Sequence, residues 1–591
     1  MPATGLRPWP SPCMVGGFVR YLALAADYDG TLARNGRVDE ETTRALERLR
    51  ATGRRLILVT GRELDELLSI FPHVALLDLV VAENGGVLFD PKTRTAEPLT
   101  GPPPERFVET LRTRGVAPLA VGRTIVATWT PNEAEVLEVI RDLGLELHVI
   151  FNKGAVMVLP PHVTKGSGLM TALDRLRLSP HNVVAVGDAE NDHSMLRLAE
   201  YGVAVANAVP MLKEAADLVL DRDHGEGVAE LVDLLVEHDL ATRPASPPRR
   251  TILLGHTAGG KEVTIPPAGI SLLVAGSSAS GKSTLATGVL ERLAAQGYQF
   301  CVIDPEGDYA ELPGAIHLGA PERGPSEGEI LTALEKPSAN VVASLIGLPL
   351  QDRPSFFAAL LPRLQELRVQ TGRPHWILAD ETHHLLPVDW QPAPTMLTQE
   401  LSGMIYVTVH PGSVSSAVLA TVTVMAAMGE DPVGAVDHFA RAIHRPPPRV
   451  PGTMPGSGEA LLWLLAVDEP PFVLEIAPGE TDRTRHRRKY AEGSLPPERS
   501  FYFRGPGRRL NLRAQNLILF SQIADGVDDE TWLHHLRQGD YSGWMRQAIK
   551  DDELADEVRA IETLDAASAS ESRRRIRKAI EERYTLPAAG R

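Results

Sequence analysis

Two short segments of this sequence hold the residue types that phosphate chemistry requires. The first is DYDGT, residues 27–31, in which Asp27 and Asp29 lie two positions apart. On an extended segment, two such side chains face the same side. One carboxylate can attack phosphorus to form an aspartyl-phosphate, and the other can protonate the leaving group and then activate water. The segment therefore predicts covalent transfer of a phosphoryl group.

Polar residues at the ends of other apolar segments are suited to complete this first site. RRLILVTGR ends just after Thr60, NVVAVGDAEND ends in aspartates, and Lys165 lies between the two segments, so these groups would converge at one edge of a parallel sheet. Thr60 and Lys165 are predicted to bind phosphoryl oxygens, and Asn191 is a candidate for positioning Lys165 or the phosphate. Carboxylates beside a dianionic substrate require a cation, which predicts Mg²⁺. Its predicted ligands are Asp27, Asp29, Asp188 and Asp192.

The second segment is a glycine-rich loop suited to hold the phosphates of ATP. GSSASGKS, residues 276–283, follows the apolar run ISLLVA and precedes an amphipathic helical pattern. In that context the backbone amides cradle the β- and γ-phosphates, Lys282 reaches them and Ser283 binds Mg²⁺. The predicted nucleotide-binding residues are Gly276, Ser280, Gly281, Lys282, Ser283 and Thr284.

A second acidic strand end, within HWILADETHH at residues 375–384, would complete the nucleotide site. Asp380 is predicted to hold Mg²⁺ through water, and Glu381 to polarise the water that attacks ATP. A glutamate directly after that aspartate favours hydrolysis of ATP over transfer of its phosphate to a second substrate. His383 and His384 are adjacent and point different ways, so we interpret them as polar neighbours of the site rather than metal ligands.

The first set of motifs resembles a known family. DYDGT, TGR, the lysine and GDAEND, in this order, resemble the four motifs of the haloacid dehalogenase (HAD) superfamily. ENGG and VAVANAVPMLKEAADLVL are similar to its Cof-type sugar-phosphatase branch. The resemblance implies a Mg²⁺-dependent phosphatase for a small phosphate ester, such as phosphoglycolate or a sugar phosphate, with an α/β cap at about residues 87–160. Within that cap Arg123, Asn152 and Lys153 are either specificity residues or ordinary solvated residues.

The second set of motifs is similar to the ATPases of the HerA and conjugative-transfer group. VIDPEGDY and LADETHHLLP carry this resemblance, which implies ATP hydrolysis and a homo-oligomer formed through the ATPase domain. The sequence departs from the family at His410, where a polar sensor is often Gln. The acidic composition and the lack of a DNA-binding module argue against a DNA-translocating motor.

The C-terminal region differs from the rest of the chain in its pattern of aromatic and apolar residues. Aromatic and apolar residues recur at helical spacing over residues 500–566, which predicts a compact helical bundle. It resembles a small module of unknown function found beside sugar-active and phosphatase domains. Four polar residues there either bind a ligand or form a core-and-turn constellation: His534, His535, Asp540 and Tyr541. The segment after Ser568 is expected to form a final exposed helix.

Length and composition set the domain organisation. A chain of 591 residues exceeds one core. The predicted fold class is α/β: a HAD-like Rossmannoid domain with an α/β cap, then a P-loop NTPase α/β domain, then a small all-α C-terminal module. The predicted division is a disordered N-terminal extension (1–17), the phosphatase (18–238), a linker (239–250), the ATPase (251–478), a second linker (479–499), the helical module (500–566) and a C-terminal helix or tail (567–591). Met14 is a second candidate for the start.

Charge and cysteine content bear on location and partners. The net charge of −16 argues against a generic nucleic-acid binder. Two cysteines, Cys13 and Cys301, and the lack of a bilayer-length apolar run favour a cytoplasmic protein without membrane contact. The expected partners are a small phosphorylated metabolite and ATP. Two alternatives stay open: a bifunctional kinase–phosphatase acting on polynucleotides or small molecules, and an ATP-dependent oligomeric switch that gates the phosphatase.

Overall fold

The computed structural model describes residues 19–152, 154–243, 248–277, 280–310, 312–390, 402–452, 454–465, 467, 469–479, 495, 500–549, 551–563 and 568–584. The expected N-terminal extension, Lys153 and most of the second linker lie outside these residues. The chain forms two compact units, residues 1–477 and 478–591. The first unit holds two α/β domains, each built on its own large sheet.

The first domain is built on an eight-stranded sheet with a parallel core. Its strands are β1 (Ala23–Ala26), β2 (Arg55–Val59), β3 (Leu79–Ala82), β4 (Val87–Asp90), β5 (Thr95–Pro98), β10 (Val183–Gly187), β11 (Tyr201–Ala204) and β12 (Leu218–Val219). They lie in the order β12–β11–β10–β1–β2–β3–β4–β5, and β1 pairs in parallel with β2 and β10. Every residue of β1 is buried, as the continuous apolar run requires. The prediction of a parallel α/β domain is confirmed.

Helices cover this sheet and fix the ends of its strands. They are α1 (Glu40–Ala51), α2 (Leu64–Ile70), α5 (Lys165–Leu176), α6 (His193–Leu198), α7 (Pro210–Ala215) and α8 (His224–His238). One continuous apolar core joins them to the sheet. In α1, for example, Ala45, Leu46 and Leu49 are buried at helical spacing.

A smaller antiparallel sheet with two helices forms the inserted cap. Its strands are β6 (Ala120–Val121), β7 (Val126–Trp129), β8 (His148–Asn152) and β9 (Ala155–Leu159), in the order β6–β7–β9–β8. Its helices are α3 (Glu105–Thr113) and α4 (Glu133–Asp142), and it has an apolar core of its own. Since β4 and β5 extend the main sheet, the cap sheet begins later than the expected start near residue 87.

The second domain is built on an eleven-stranded sheet. Its strands are β13 (Ile252–Thr257), β14 (Glu262–Ile265), β15 (Ser271–Gly276), β16 (Phe300–Asp304), β17 (Ala315–Leu318), β18 (Asn340–Ser344), β19 (Trp376–Ala379), β20 (Met404–Thr408), β21 (Val424–Met428), β22 (Glu459–Leu464) and β23 (Phe472–Ile476). The order is β14–β13–β23–β22–β21–β15–β20–β19–β16–β18–β17. The seven strands from β21 to β17 are parallel, and the other pairings are antiparallel.

Six helices connect the strands of the second domain. They are α9 (Lys282–Ala295), α10 (Glu327–Leu334), α11 (Arg353–Thr371), α12 (Thr382–Leu385), α13 (Ser416–Leu419) and α14 (Pro432–Ala442). The glycine-rich loop joins β15 to α9, and the DETHH segment follows β19, so both expected phosphate-handling segments lie at the carboxyl ends of parallel strands.

The second unit combines helices with a short hairpin. Its helices are α15 (Leu517–Gly526), α16 (Asp529–Gln538), α17 (Asp540–Trp544), α18 (Asp552–Glu562) and α19 (Ala569–Tyr584), and its strands are β24 (Phe501–Phe503) and β25 (Leu512–Ala514). The predicted all-α module did not include this hairpin. The hairpin forms because the side chains of Phe501 and Phe503, two positions apart on β24, both pack into the aromatic core.

The last described helix, α19, is not the exposed helix expected from its charged sequence. Ile576, Ala579 and Ile580 lie on one face of α19 and are buried in the core of the second unit. The indole N–H of Trp532 donates a hydrogen bond to Ser572 of this helix (2.9 Å). The charged residues therefore cover only its outer face. Within the described part of the chain, no helix combines the length and apolar character needed to span a membrane.

Candidate active site

The centre of the first site is the contact between Asp27 and Lys165. Asp27 follows β1 directly, and its Oδ1 accepts a hydrogen bond from the Lys165 ammonium (2.6 Å). Both side chains are almost fully buried. Lys165 is the first residue of α5, whose start is fixed by a capping box between Thr164 and Ser167. The strand end and the helix start together bring the predicted nucleophile and the predicted phosphate anchor into contact.

Three buried carboxylates surround the Lys165 ammonium. Oxygen atoms of Asp27, Asp188 and Asp192 lie within 4.8 Å of one another. Asp192 is already well bound, since its Oδ2 accepts the backbone N–H groups of Asp188 (2.8 Å) and Ala189 (2.9 Å) and its Oδ1 contacts Lys165. Asp192 therefore holds the loop and the lysine in place, which leaves Asp27 and Asp188 as the better-placed ligands for a cation.

The charge balance of this group fits a divalent cation. Three carboxylates face one ammonium, and burial, reinforced by Asp192, raises the pKa of Asp27 well above its usual value despite the opposing effect of Lys165. Burial alone would lower the pKa of Lys165, but Asp192 and Asp27 more than offset it and raise that pKa. Buried oxygen ligands with excess negative charge are what Mg²⁺ prefers, so the residues present fit that ion.

Asp29, also predicted as a metal ligand, lies outside this group in the described part of the chain. Arg62 donates two hydrogen bonds to its carboxylate, from Nε to Oδ2 (2.6 Å) and from Nη2 to Oδ1 (2.8 Å). Arg62 also contacts Glu66, one turn along α2. Hydrogen bonding to Asp29 raises the pKa of Arg62, so the guanidinium stays charged. Asp29 is therefore held at the mouth of the site, where its side chain is 41% exposed.

Thr60 lies at the floor of the site, and a pair of asparagines lies beside it. Thr60 is fully buried, and its hydroxyl oxygen accepts the backbone N–H of Arg62 (3.1 Å). The Asn191 amide donates to Asn84 Oδ1 (3.0 Å), while Asn84 Nδ2 and Asn191 Oδ1 are buried with no hydrogen-bond partner among the described residues. Buried polar atoms of this kind normally have partners, which makes them candidates for substrate contact.

Arg62 and Asn84 were not singled out from the sequence. Arg62 belongs to the TGR motif, and Asn84 belongs to the quoted ENGG segment, so the signal lay in the motifs themselves. Asn84 has φ 55°, a left-handed conformation that asparagine adopts more readily than most residues. The asparagine at this position therefore serves the backbone turn as well as the site.

Two of the three cap candidates lie within the described residues, and they lie in different settings. The backbone N–H of Arg123 donates to Glu83 Oε1 (3.1 Å), and its guanidinium lies 3.5 Å from Asp65, so Arg123 sits where the cap meets the main domain. Asn152 ends β8, and its Oδ1 is buried without a partner in the part of the chain that the structure describes. Lys153 is outside that part.

The described residues of the glycine-rich loop lie between β15 and α9 of the second domain. Gly281, at φ 99°, leads directly into α9, whose first residue is Lys282. The Lys282 ammonium donates to the carbonyl oxygen of Ser277 (3.0 Å), so it lies over its own loop. A Cβ at Gly276 would lie 2.3 Å from the carbonyl oxygen of Met428, so only glycine fits there. Ser280 Oγ is a buried atom without a partner among the described residues.

Acidic side chains converge on this loop from two neighbouring strands. Asp304, at the end of β16, accepts the backbone N–H groups of the turn that follows it, and this turn brings Asp308 to within 3.3 Å of the Ser283 hydroxyl. Asp380 follows β19, and burial, then the charge of Glu381, raises its pKa well above the usual value. Ser283 is therefore in contact with Asp308, and Asp380 lies at the end of the neighbouring strand β19.

The residues around Glu381 differ in role. Glu381 is at φ 41°, a strained conformation for a non-glycine residue, and burial raises its pKa. His383 Nδ1 lies 3.4 Å from Glu381 and 3.2 Å from the Thr408 hydroxyl, and burial, with its histidine neighbours, lowers the pKa of His383 to about 4. His383 is therefore neutral near pH 7. The rings of His383 and His384 are 4.1 Å apart, consistent with polar neighbours of the site.

Two of the four polar candidates in the second unit are structural. His535 is bound through both ring nitrogens, to Asp540 through Nδ1 (2.7 Å) and to the N–H of Arg504 through Nε2 (3.0 Å). The Tyr541 hydroxyl donates to the carbonyl oxygen of Trp532 (3.0 Å) and is buried. The core-and-turn alternative therefore describes His535 and Tyr541.

Comparison with known proteins bears on the first domain. A family model described as haloacid dehalogenase-like hydrolase matches residues 24–124 and 146–232. Phosphoglycolate phosphatase of Methanothermobacter thermautotrophicus is 35% identical over 223 residues, which cover 36% of this chain and 96% of that protein. Phosphoglycolate phosphatase of Methanopyrus kandleri is 34% identical over 228 residues, covering 36% and 95%. A solved haloacid dehalogenase-like hydrolase from Bacteroides thetaiotaomicron is 20% identical, with a TM-score of 0.32 over 36% of this chain and 99% of its own.

The chain belongs to the haloacid dehalogenase-like hydrolase family through its N-terminal domain. The Methanothermobacter protein is matched over almost its whole length, whereas it accounts for 36% of this chain. The family match ends at residue 232, so the interpretation of the glycine-rich loop depends on its own geometry.

Proposed function

We propose that the first domain is a Mg²⁺-dependent phosphatase that works through an aspartyl-phosphate on Asp27. The observation that carries this proposal is the buried contact between Asp27 and Lys165, inside a group of three carboxylates. A buried carboxylate beside a buried ammonium is suited to attack phosphorus while the ammonium binds the phosphoryl oxygens. Asp27 and Asp188 would hold Mg²⁺, which would offset the negative charge of the substrate.

The side chains of this domain account for both steps of the reaction. A carboxylate oxygen of Asp27 attacks phosphorus, the bond to the alcohol oxygen breaks, and Asp29 gives that oxygen its proton. Asp29 then takes a proton from the water that attacks the aspartyl-phosphate, which releases inorganic phosphate and restores Asp27. Arg62 keeps Asp29 oriented at the mouth throughout. Lys165 and Thr60 bind the phosphoryl oxygens.

The proposed substrate is a small phosphate ester of the phosphoglycolate or sugar phosphate type. Phosphoglycolate phosphatases are among the relatives. Arg62 is already bound to Asp29 and Glu66, whereas the Arg123 guanidinium, where the cap meets the main domain, is only loosely paired with Asp65 (3.5 Å). A carboxylate-bearing ester would be attracted to the Arg123 guanidinium.

The direct test is a panel of phosphate esters assayed with and without Mg²⁺. Wild type should release phosphate only with Mg²⁺, and Asp27→Asn should be inactive on every ester. Turnover that persists in Asp27→Asn would exclude the covalent mechanism. The ester that is hydrolysed with the higher kcat/KM, either phosphoglycolate or a sugar phosphate, would decide between the two substrate types.

A second candidate function, ATP binding and hydrolysis by the second domain, is favoured by the geometry of the glycine-rich loop. Lys282 and Ser283 begin α9, and Asp308, Asp380 and Glu381 lie on the side where Mg²⁺ and the attacking water would be. Lys282→Ala should weaken ATP binding by about 10- to 100-fold, because a charge-assisted contact to phosphate is lost. Glu381→Gln should bind ATP but hydrolyse it slowly. Transfer of labelled phosphate from ATP to an alcohol would instead support the kinase–phosphatase alternative.

The contact between the two α/β domains favours the alternative in which ATP gates the phosphatase. The Tyr298 hydroxyl, just beyond α9, donates to Glu200 of the first domain at 3.0 Å to each oxygen. His181 stacks on the Tyr298 ring at 3.7 Å and also contacts Glu200 (2.8 Å). The segment just after the carboxyl end of α9, the helix that starts at Lys282, therefore contacts a buried ionic cluster of the first domain. An ATP-dependent change in phosphatase rate that disappears in Lys282→Ala would support gating, and equal rates with and without ATP would exclude it.

A further inference from the structure

The second unit contains a cavity that neither the proposed phosphatase nor the proposed ATPase uses. Its volume is about 690 Å³, within the range of small-molecule sites. It is an open cavity lined by the loop that follows β24 and by the ends of α16 and α17. Its lining includes Tyr502, Arg504, Arg508, Gln538, Trp544 and Gln547.

The loop over this cavity is held in a fixed and partly strained shape. His535 accepts the backbone N–H groups of Arg504 (3.0 Å) and Gly505 (3.4 Å) through Nε2. Because Nε2 accepts these hydrogen bonds, the ring proton is on Nδ1, which donates to the Asp540 carboxylate at 2.7 Å. The Asp540 carboxylate therefore already has a partner. Arg508 has φ 55°, an unfavourable conformation for a residue with a side chain. His535 therefore builds the wall of the cavity, and the loop presents its arginines from a defined backbone.

Two arginines of this loop, Arg504 and Arg508, have no anionic partner among the residues that the structure describes. Both are exposed, and neither guanidinium has a hydrogen bond or an ion pair to a described residue. The Arg504 guanidinium lies over the Tyr502 ring, 5.0 Å from its centre, which orients it. Elsewhere in the same unit, Arg573 contacts Asp529 (2.6 Å) and Arg577 contacts Asp525 (2.9 Å). Two guanidinium groups that are unpaired among the described residues and line one cavity favour an anion, and phosphate is an anion whose oxygens such forks bind in bidentate fashion.

The other walls are suited to the uncharged part of a ligand. Gln538 and Gln547 contribute side-chain amides, which can both donate and accept hydrogen bonds. The Trp544 indole stacks on Phe520 and is 8% exposed, and the part left uncovered lines the cavity as an aromatic surface. Amides beside an aromatic face are suited to a carbon skeleton that carries hydroxyl groups. The one carboxylate among the lining residues, Asp540, is already bound by His535, and the lining holds no group of acidic residues that could bind Mg²⁺ for phosphoryl transfer.

We propose that this cavity is a non-catalytic binding site for a small hydroxylated phosphate monoester. The phosphoryl group contacts Arg504 and Arg508, and the hydroxylated part contacts Gln538, Gln547 and the face of Trp544. All of its lining residues belong to the second unit, and none belongs to the unit that holds the proposed phosphatase and ATPase sites.

Calorimetric titration of the full chain with glucose 6-phosphate tests this site. EDTA removes the Mg²⁺ that the proposed phosphatase site needs to offset the charge of a phosphate ester, so the probe is not turned over and its binding at that site is disfavoured. Glucose and inorganic phosphate are titrated in parallel. The wild type should bind glucose 6-phosphate, and Arg504→Ala/Arg508→Ala should bind it at least about tenfold more weakly. The matched control is Arg574→Ala, which removes an exposed arginine of α19 that does not line the cavity and should leave the affinity unchanged.

A second variant keeps the test decisive if the double variant folds poorly. Gln547→Glu retains both arginines and adds a carboxylate to the wall, so it should also weaken binding at least about tenfold. Equal binding by wild type, Arg504→Ala/Arg508→Ala and Gln547→Glu would overturn the site. Binding of inorganic phosphate as tight as that of glucose 6-phosphate would overturn the role of the amides and Trp544. Phosphatase activity is measured in the same variants. If it is unchanged, the result for glucose 6-phosphate binding concerns this cavity and leaves the proposed phosphatase mechanism untouched.

Discussion

Arg373 of the second domain donates a hydrogen bond to the backbone carbonyl oxygen of Arg177 in the first domain (Nη2–O 2.7 Å). Arg177 caps the carboxyl end of α5, the helix whose first residue is Lys165. Arg373 is completely buried and also donates to Gln299 Oε1 (3.2 Å) and to the carbonyl oxygen of Leu334 (2.9 Å). One side chain therefore ties the helix of the proposed phosphate anchor to the second domain.

Arg373→Met should destabilise the first unit by about 3 kcal/mol, because it removes the buried donor to the carbonyl oxygen of Arg177 and to Gln299 Oε1, whereas the carbonyl oxygen of Leu334 keeps a donor in Gln299 Nε2. Denaturant unfolding measures the change. Glu335→Gln is the matched control, since it breaks only the exposed pair between Glu335 and Arg177 and should cost less than about 1 kcal/mol. Similar losses in the two variants would contradict the role given to Arg373.

The buried Glu200 cluster predicts a specific dependence of stability on pH. Burial by itself raises the pKa of Glu200, but Arg20, His181 and Arg250 more than offset this effect and lower the pKa to about 2. A carboxyl group with a lowered pKa stabilises the fold above its unfolded-state value near 4.5, and this contribution is lost as pH falls toward 2. The full contribution is about 3 kcal/mol.

Glu200→Gln should therefore flatten the decline of the unfolding free energy between pH 5 and pH 3. Glu329 supplies a control, because Arg323 lowers its pKa to about 2 as well, yet Glu329 lies on the surface, where solvent screens the interaction. The substitution Glu329→Gln should change the slope much less. If the two variants gave the same slope, the cluster would not be a stabilising contact between the domains.

Much of the first site was predictable from the sequence, because its residues belong to motifs with fixed spacing. The contact between Asp27 and Lys165 follows from a strand end and a helix start that share one sheet edge. The bidentate ion pair between Arg62 and Asp29 was not predicted, since it depends on the direction in which a long side chain points. This ion pair also explains why Asp29 does not join the carboxylates of Asp27, Asp188 and Asp192.

The contact between the domains could not be predicted, because its residues are of common types and come from distant segments. Glu200 and Tyr298 lie in no motif, and their hydrogen bond exists only once two sheets have been packed together. The hairpin of the second unit was missed for a different reason. Phe501 and Phe503 form a strand too short for alternation to be distinguished from helical spacing.

Arg62→Ala should lower the kcat of phosphatase activity by about tenfold and alter its pH profile, because Asp29 loses the group that orients it. The substrate KM should change less if the role is only to position Asp29. Glu66→Gln is the matched control, since it removes the other carboxylate that contacts Arg62 and leaves the pair with Asp29 intact. A pH profile identical to wild type in Arg62→Ala would show that Arg62 acts only through substrate binding.

Asp29→Asn should separate the two steps of the proposed reaction. An amide cannot activate water, so the aspartyl-phosphate on Asp27 should persist, and acid quenching after mixing with labelled substrate should trap more phosphoenzyme than in wild type. Steady-state turnover should fall by about 10²-fold or more. A substrate with an activated leaving group, such as p-nitrophenyl phosphate, needs no proton for its departure and should still load the enzyme. Asp27→Asn should trap no label under the same conditions, and equal labelling of the two variants would place the covalent bond on another residue.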